Sequence, residues 1–140
     1  MSSALPINPS HVSGMLRARL GNTKVAPHVA NSWRRCVEEY GIDAQAARDT
    51  PVLDATSVYQ RQQRFGELLS VARAEMENLY EQIAGSGYAV IFSDAEAVIL
   101  GAIADPSLKR EFRDAGLRIG AIWSERYEGT NGLGTCIAEG

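Results

Sequence analysis

Between Ile83 and Tyr88 the hydrophobic period of this chain changes, and that change constrains the fold more than any other feature. Upstream, Phe65, Leu69, Ala72, Met76, Leu79 and Ile83 recur at intervals of 4, 3, 4, 3 and 4 residues, which places them on one face of a helix. Downstream, YAVIF (88 to 92) and VILGAI (98 to 103) are short runs of β-type residues, separated by the polar, turn-like Ser93-Asp94-Ala95-Glu96. Gly85-Ser86-Gly87 marks the junction. A helix running into an antiparallel hairpin predicts an α+β fold, with helices beside an antiparallel sheet.

The flanking elements are set by local signals. Asp54 is a good N-cap, so one long helix is expected over 54–85, with Gly66 a weak spot costing about 1 kcal/mol against Ala. Its seam can lie on the domain's own sheet, on a second copy of the chain, or on both. Val29, Trp33, Cys36, Val37 and Tyr40 predict an amphipathic helix over 27–40, with Pro27 in its first turn and Gly41 as its stop. Val12, Met15, Leu16 and Leu20 suggest a turn or two of helix among the breakers of residues 1–24. Asp105-Pro106 starts a further helix carrying Leu108 and Phe112 and ending at Gly116. Residues 117–123 are either a third strand or an extended approach to the glycine-rich motif that opens at Trp123. The chain thus divides into an N-terminal arm and helix (1–53), a long connecting helix (54–87) and a sheet-bearing region (88–140).

Composition narrows the function classes. Of the 140 residues, 45% are apolar and 22% charged, as in a soluble globular domain with a core. The stretch MSSALPINPS lacks the basic and apolar regions of a signal peptide, and no apolar run approaches the length of a membrane helix. The expected compartment is the cytoplasm, with Cys36 and Cys136 reduced. The net charge of −3 is unevenly spread: five basic residues (Arg17, Arg19, Lys24, Arg34 and Arg35) precede the first acid, Glu38. Such an arm can touch nucleic acid or dock on the acidic body of its own protein. A recognition helix over 27–40 would use Arg34 and Arg35, but Trp33 and Cys36 share its apolar face and Glu38 and Glu39 come directly after.

The stretch WSERYEGTNGLGTC (123 to 136) asks what needs so little side chain. Its glycines are spaced G-x-x-G-x-G, which is neither the dinucleotide fingerprint nor a Walker loop, and Glu125, Glu128 and Glu139 surround it. Cys136 lacks a histidine that the sequence places nearby, so it reads as a small core residue rather than a nucleophile. No metal-ligand spacing occurs. Glu38 with Glu39, and Glu75 with Glu77, read as solvated helix faces. No enzyme is indicated, and no cofactor. The structural reading is a sharp turn in which Thr130 and Asn131 cap a helix beginning at Gly132, its small residues packed on the sheet. Such a helix start is a usual place to hold a small polar ligand.

NSWRRCVEEYGID (31 to 43), GYAVIFSDAEAVIL (88 to 100) and GAIWSERYEGTNGLGT (120 to 135) together resemble the N-terminal sensory region of the acetoin-catabolism type of bacterial σ54-dependent activators. Trp123, Ser124, Glu125, Gly129, Thr130, Asn131, Gly134 and Thr135 match its most specific motif. The resemblance implies a GAF domain: an antiparallel sheet with helices on one side and a ligand cavity on the other. Ala97 departs from the family, standing where glycine is usual. The family's ATPase and helix-turn-helix modules lie outside this chain, so DNA would be reached only through them, and the chain is expected to be the front half of a sensor. Its partners would be a small organic effector and, through helix 54–85, a second copy of itself, with no membrane. Trp123, Glu125, Thr130 and Asn131 are the candidate effector-site residues. The competing reading is a small DNA-binding or protein-interaction module built on helix 27–40.

Overall fold

The computed structural model describes residues 25–43, 46 and 49–140. The helical turns expected around Val12 to Leu20 lie outside them. The described chain forms two compact units, one of residues 51–122 and one joining the residues up to Thr50 to 123–140. Helices and a small antiparallel sheet make the fold α+β, as the pattern predicts.

In the 51–122 unit, Asp54 caps the first helix, α2 (Ala55–Phe65). One carboxylate oxygen accepts the Ser57 N–H at 2.8 Å and the other its hydroxyl at 2.9 Å. These bonds hold the Asp54 carboxyl below its usual pKa. The expected single helix over 54–85 is interrupted. Gly66 takes φ 52° and ψ −126°, and a second helix, α3, runs from Glu67 to Ile83. A residue without a Cβ meets no steric cost there, so the weak spot becomes a break. The seam packs on the unit's own hairpin. Phe65 meets Phe92 edge to face, with ring centroids 5.3 Å apart, and Met76 is buried. Leu79, at the edge of the seam, is 52% exposed and shares an exposed stripe with Leu68 and Val71, which are 57% and 58% exposed.

The hairpin has the expected place and sense: β1 (Ala89–Ser93) pairs antiparallel with β2 (Ile99–Ala104). Asp94 builds the turn. Its Oδ1 accepts the N–H groups of Glu96 and Val98, and its Oδ2 accepts Arg61 at 2.6 Å. Arg61 also reaches Glu96 at 2.8 Å. Ala97 closes the turn at φ 63°, the one non-glycine left-handed residue among those described. This is the position where glycine is usual in the resembling family, and its conformation explains why.

Val98, Ile99 and Leu100 are all buried, at 0–1% exposure. A half-covered strand would alternate; this one is covered on both sides. Val58, Leu53, Phe65, Phe92 and Ile122 pack around Val98 and Leu100. The second edge of β2 is also used: the Ile99 N–H donates to Ala121 O and its carbonyl accepts Gly120 N–H. Residues 121 and 122 make isolated bridges to Val52 and Val98, but the chain turns at 118–120, with Ala121 N–H on Arg118 O, so the 117–123 segment is neither a third strand nor an extended approach throughout. Asp105 accepts from Ser107 and opens a turn, not the helix expected from Pro106; α4 (Lys109–Asp114) begins only after Leu108 and without a side-chain cap, and Gly116 follows it at φ 84°.

In the other unit, α1 (Pro27–Arg34) has Pro27 at its start, as expected, but continues as a π-helical turn over Arg35–Glu39. The widened turn moves Val37 off the apolar stripe, where it is 37% exposed, while Trp33 and Cys36 stay buried. Gly41, at φ 63°, ends it, and Ile42 N–H returns to Cys36 O at 2.9 Å. Two helices lie beyond Trp123: α5 (Glu125–Glu128) and α6 (Gly132–Glu139).

Two glycines separate conformational strain from steric clash. A Cβ at Gly66 would touch nothing, whereas one at Gly120 (φ 89°) would lie 2.9 Å from Leu53 O and 3.1 Å from Val58 Cγ2. Gly66→Ala is expected to cost about 1–2 kcal/mol, from the backbone alone. Gly120→Ala adds overpacking and should cost about 3 kcal/mol. Urea denaturation of the two variants checks the order; equal losses would contradict it.

Candidate functional site

The glycine-rich stretch is built around Asn131. Its extended backbone makes it the N-cap of α6, with Oδ1 accepting Leu133 N–H at 3.0 Å and Gly134 N–H at 2.8 Å. Its Nδ2 donates to Trp123 O at 3.0 Å and Gly129 O at 2.8 Å. One amide therefore ties the helix start to the chain on both sides of α5. The expected cap is present, and it uses the donors and acceptors of the side chain fully.

Two of the three glycines are required, for different reasons. Gly129 turns the chain out of α5 at φ 68°. Gly134 faces the backbone of 123–125, where a Cβ would stand 2.6 Å from Trp123 O and 2.7 Å from Glu125 N. Gly132 has open space and needs neither. The close packing partner of α6 at this point is backbone of its own unit, where the sequence suggested a sheet. Cys136, expected in the core, is exposed. The inward face carries Gly134 and Thr135, and the next residue points away.

Opposite the stretch lies α1. Ser32 is fully buried, with its hydroxyl 2.7 Å from Thr130 Oγ1 and 3.2 Å from Thr135 Oγ1. Cys36 sits one turn further on, its sulfur 3.8 Å from Thr130 Oγ1 and 3.9 Å from Glu125 O. Burial raises the pKa of this thiol, which therefore stays protonated at neutral pH. Arg35 grips Glu125 with two bonds, Nε at 2.8 Å and Nη2 at 2.9 Å, and sends Nη1 to Glu139 at 2.6 Å. Glu125 is 2% exposed. Burial alone would raise its pKa, but Arg35, with Ser32 and Thr135, more than offsets this and holds the carboxyl below the usual range. Glu125 in turn raises the pKa of Arg35. At the edge of the unit the Thr50 hydroxyl donates to the Glu128 carboxylate, and Arg126 stacks on Tyr40 at 5.5 Å.

All four sequence-predicted residues thus meet at one corner: Trp123 through its carbonyl, Glu125 through Arg35, Thr130 through Ser32, and Asn131 as the cap. Sequence reasoning missed Ser32 and Arg35. Ser32 was visible only as a small residue beside Trp33 on a helix. Arg35 stood as a candidate DNA contact, but it is committed to Glu125 and Glu139. Arg34 is exposed and donates to Asn31 at 3.1 Å. Among the described residues no group of His, Cys, Asp and Glu is arranged to hold a metal, and no described helix is long and apolar enough to cross a membrane.

The Arg35–Glu125 pair makes the unit acid-sensitive in a defined direction. Glu125's folded pKa is lowered, so the stabilisation is present above the unfolded carboxylate value of about 4.3 and is lost as pH falls through the folded value. Arg35→Met, which leaves a buried carboxylate unpaired, should cost about 3 kcal/mol at pH 7. Because Glu125 would then be easier to protonate, part of that loss should return on acidification toward pH about 4. Thermal unfolding of both proteins across this range is the check, and a loss independent of pH would contradict the assignment.

No protein-family model matches the chain, and no solved structure is significantly similar. Curated relatives are more informative. The acetoin catabolism regulatory protein of Cupriavidus necator is 38% identical over 112 residues, covering 80% of this chain and 17% of that protein. The signal-transduction and transcriptional-control protein of Clostridium beijerinckii is 33% identical over 79% of this chain. The acetoin dehydrogenase operon transcriptional activator AcoR of Bacillus subtilis is 25% identical over 84% of it. Over about four fifths of its own length this chain is similar to transcriptional regulators of this acetoin-catabolism type, and it spans 17–19% of the length of these relatives.

Proposed function

We propose that this chain is a GAF-type, effector-sensing region of a bacterial σ54-dependent transcriptional activator, acting in the cytoplasm and without catalysis of its own. The observation that carries the reading is the homology to regulators of catabolic operons over four fifths of the chain. The corner of Trp123, Glu125, Thr130 and Asn131 supports it from the structural side. It lies at or beside the part of the domain that responds to the effector. Its buried bonds to Ser32 and Arg35 define one discrete arrangement, and a ligand that favours that arrangement over an opened one shifts the population between them. The effector is a small organic molecule; acetoin, named in two relatives, is the first to test. DNA is contacted through other modules of the regulator.

Calorimetric titration of acetoin into the chain should give saturable binding. Thr130→Val, which removes the bond to Ser32 with little change in volume, should change the affinity or the response of a regulator carrying it. Duplex DNA should not bind with the steep salt dependence of phosphate contacts. Salt-sensitive DNA binding without any effector binding would favour the competing reading.

The exposed stripe of Leu68, Val71 and Leu79 on α3 supports self-association as a homodimer. Met76 is buried in the unit itself, so charge belongs on the stripe and not on the whole seam. The chain is expected to sediment as a dimer at roughly 50 micromolar, which populates an interface of about −6 kcal/mol. Leu68→Lys with Leu79→Lys should give a monomer with unchanged circular dichroism. A monomeric parent chain at that concentration would end the proposal.

A further inference from the structure

The sequence of α1 and its continuation encodes one helical register, and the structure uses another. Val29, Trp33, Cys36 and Tyr40 recur at intervals of 4, 3 and 4 residues, which on a regular α-helix puts all four on one face. Trp33 and Cys36 do face the interior. Tyr40 does not follow them. The turn over Arg35–Glu39 is π-helical, and Tyr40 N–H reaches five residues back, to Arg35 O at 3.0 Å. Such a turn holds one residue more than an α turn. Tyr40 therefore stands where the α pattern would put its predecessor, about 1.5 Å short and about 100° round from the face of Trp33 and Cys36. There its half-buried ring lies under the exposed Arg126 guanidinium at 5.5 Å.

A π turn inside a helix is rare and, where it persists, is frequently part of a functional site. This one starts at Arg35, the residue that grips Glu125.

The regular turn is open to the same residues. In it Glu39 N–H would take Arg35 O and Tyr40 N–H would take Cys36 O, so no donor within the turn is orphaned. Only Ile42 must yield, since its N–H now holds Cys36 O at 2.9 Å. Gly41, between them, stands at φ 63°, and a Cβ placed there would meet nothing within 4 Å. The stop thus has both the conformational freedom and the space for the helix to advance by one residue. Residues up to Arg35 precede the widening, so the grip on Glu125 holds in both registers. The regular turn gains a place for the Tyr40 ring on the apolar face and gives up its contact with Arg126, which is a small term at an exposed site.

We propose that residues 35–41 are a register switch, exchanging between the widened turn with Tyr40 under Arg126 and a regular turn with Tyr40 on the apolar face. The switch deepens the sensory reading above, and as regulation it rests on it: its two registers are discrete arrangements, and a shift between them carries a change beside Glu125 into the chain that follows Gly41. Helix register shifts run on the microsecond-to-millisecond scale, so the test is amide-nitrogen relaxation dispersion on the isotope-labelled 140-residue chain. Exchange should appear at residues 36–42 and at Arg126. Arg126→Gln removes the cation from the Tyr40 ring and should raise the population of the regular turn about two- to fivefold. Deleting Glu39, an exposed residue, leaves the number of residues that an α turn holds; the exchange should vanish while the circular dichroism of the parent is kept. Absence of exchange at 36–42, populations unmoved by Arg126→Gln, or a deletion chain that exchanges as before or fails to fold overturns the switch. The exchange is measured without any effector, so its absence leaves the sensory reading, which stands on the similarity to the regulators, untouched.

Discussion

A carboxylate with 2% of its surface exposed keeps its charge only beside a cation, and the unit containing Glu125 is arranged around that requirement. Arg35 meets it with a two-pronged grip, and the geometry of that grip fixes much else. It sets the rotation of α1, and so the side on which Ser32 and Cys36 face inward. It holds α5 by its first residue. Through Glu139 it also holds the far end of α6. Hydroxyl bonds from Ser32 to Thr130 and Thr135 then close the space between these points without further charge. A buried ion pair is a weak source of net stability. Its stronger effect is to disfavour any packing in which either partner is left alone, which suits a region read as having discrete arrangements.

The 51–122 unit obeys another logic. Its core strand is covered on both faces and bonded along both edges, with β1 on one side and the 119–122 segment on the other. Three consecutive apolar residues, Val98 to Leu100, can therefore all be buried. The turn that delivers this strand depends on Asp94, whose side chain replaces missing backbone partners at Glu96 and Val98 and is neutralised by Arg61. With Asp94 doing this, an alanine is held in a left-handed conformation at position 97.

Local signals were legible in the sequence because their physics is local. Asp54 and Asn131 cap the helices they precede, since an N-cap needs only a side-chain oxygen and the next few N–H groups. The hairpin was visible in its β-type runs and polar turn. Gly66 was recognised as a weak point but not as a break, because periodicity continues across an interruption that preserves the buried face. The π turn at Arg35–Glu39 left no pattern at all, and it displaced Val37 from the stripe that spacing assigned to it. The partners of Glu125 and Thr130 were out of reach for a different reason: about ninety residues separate them from Arg35 and Ser32, and spacing says nothing about pairs that only tertiary packing brings together. Cys136 was misplaced by its neighbours' character, since a helix of small residues looks buried all round until one face is seen to be in contact.

Asn131 precedes Gly132, the sequence context in which an asparagine side chain ages fastest, because an unhindered following nitrogen can attack the amide carbon and expel ammonia. In the folded chain the same amide is held by four bonds and the following nitrogen belongs to the start of a helix. The fold therefore protects its own cap from spontaneous deamidation, and that protection lasts only while α6 is formed. Each unfolding event exposes the cap to loss of its amide. The cyclic imide left when ammonia departs is opened by water to isoaspartate or aspartate; even the aspartate, which keeps the helix-capping oxygens, lacks the two donors that reach Trp123 and Gly129, so the damage falls on the joint between α5 and α6. The chemical lifetime of this region is thus tied to how often its last helix opens.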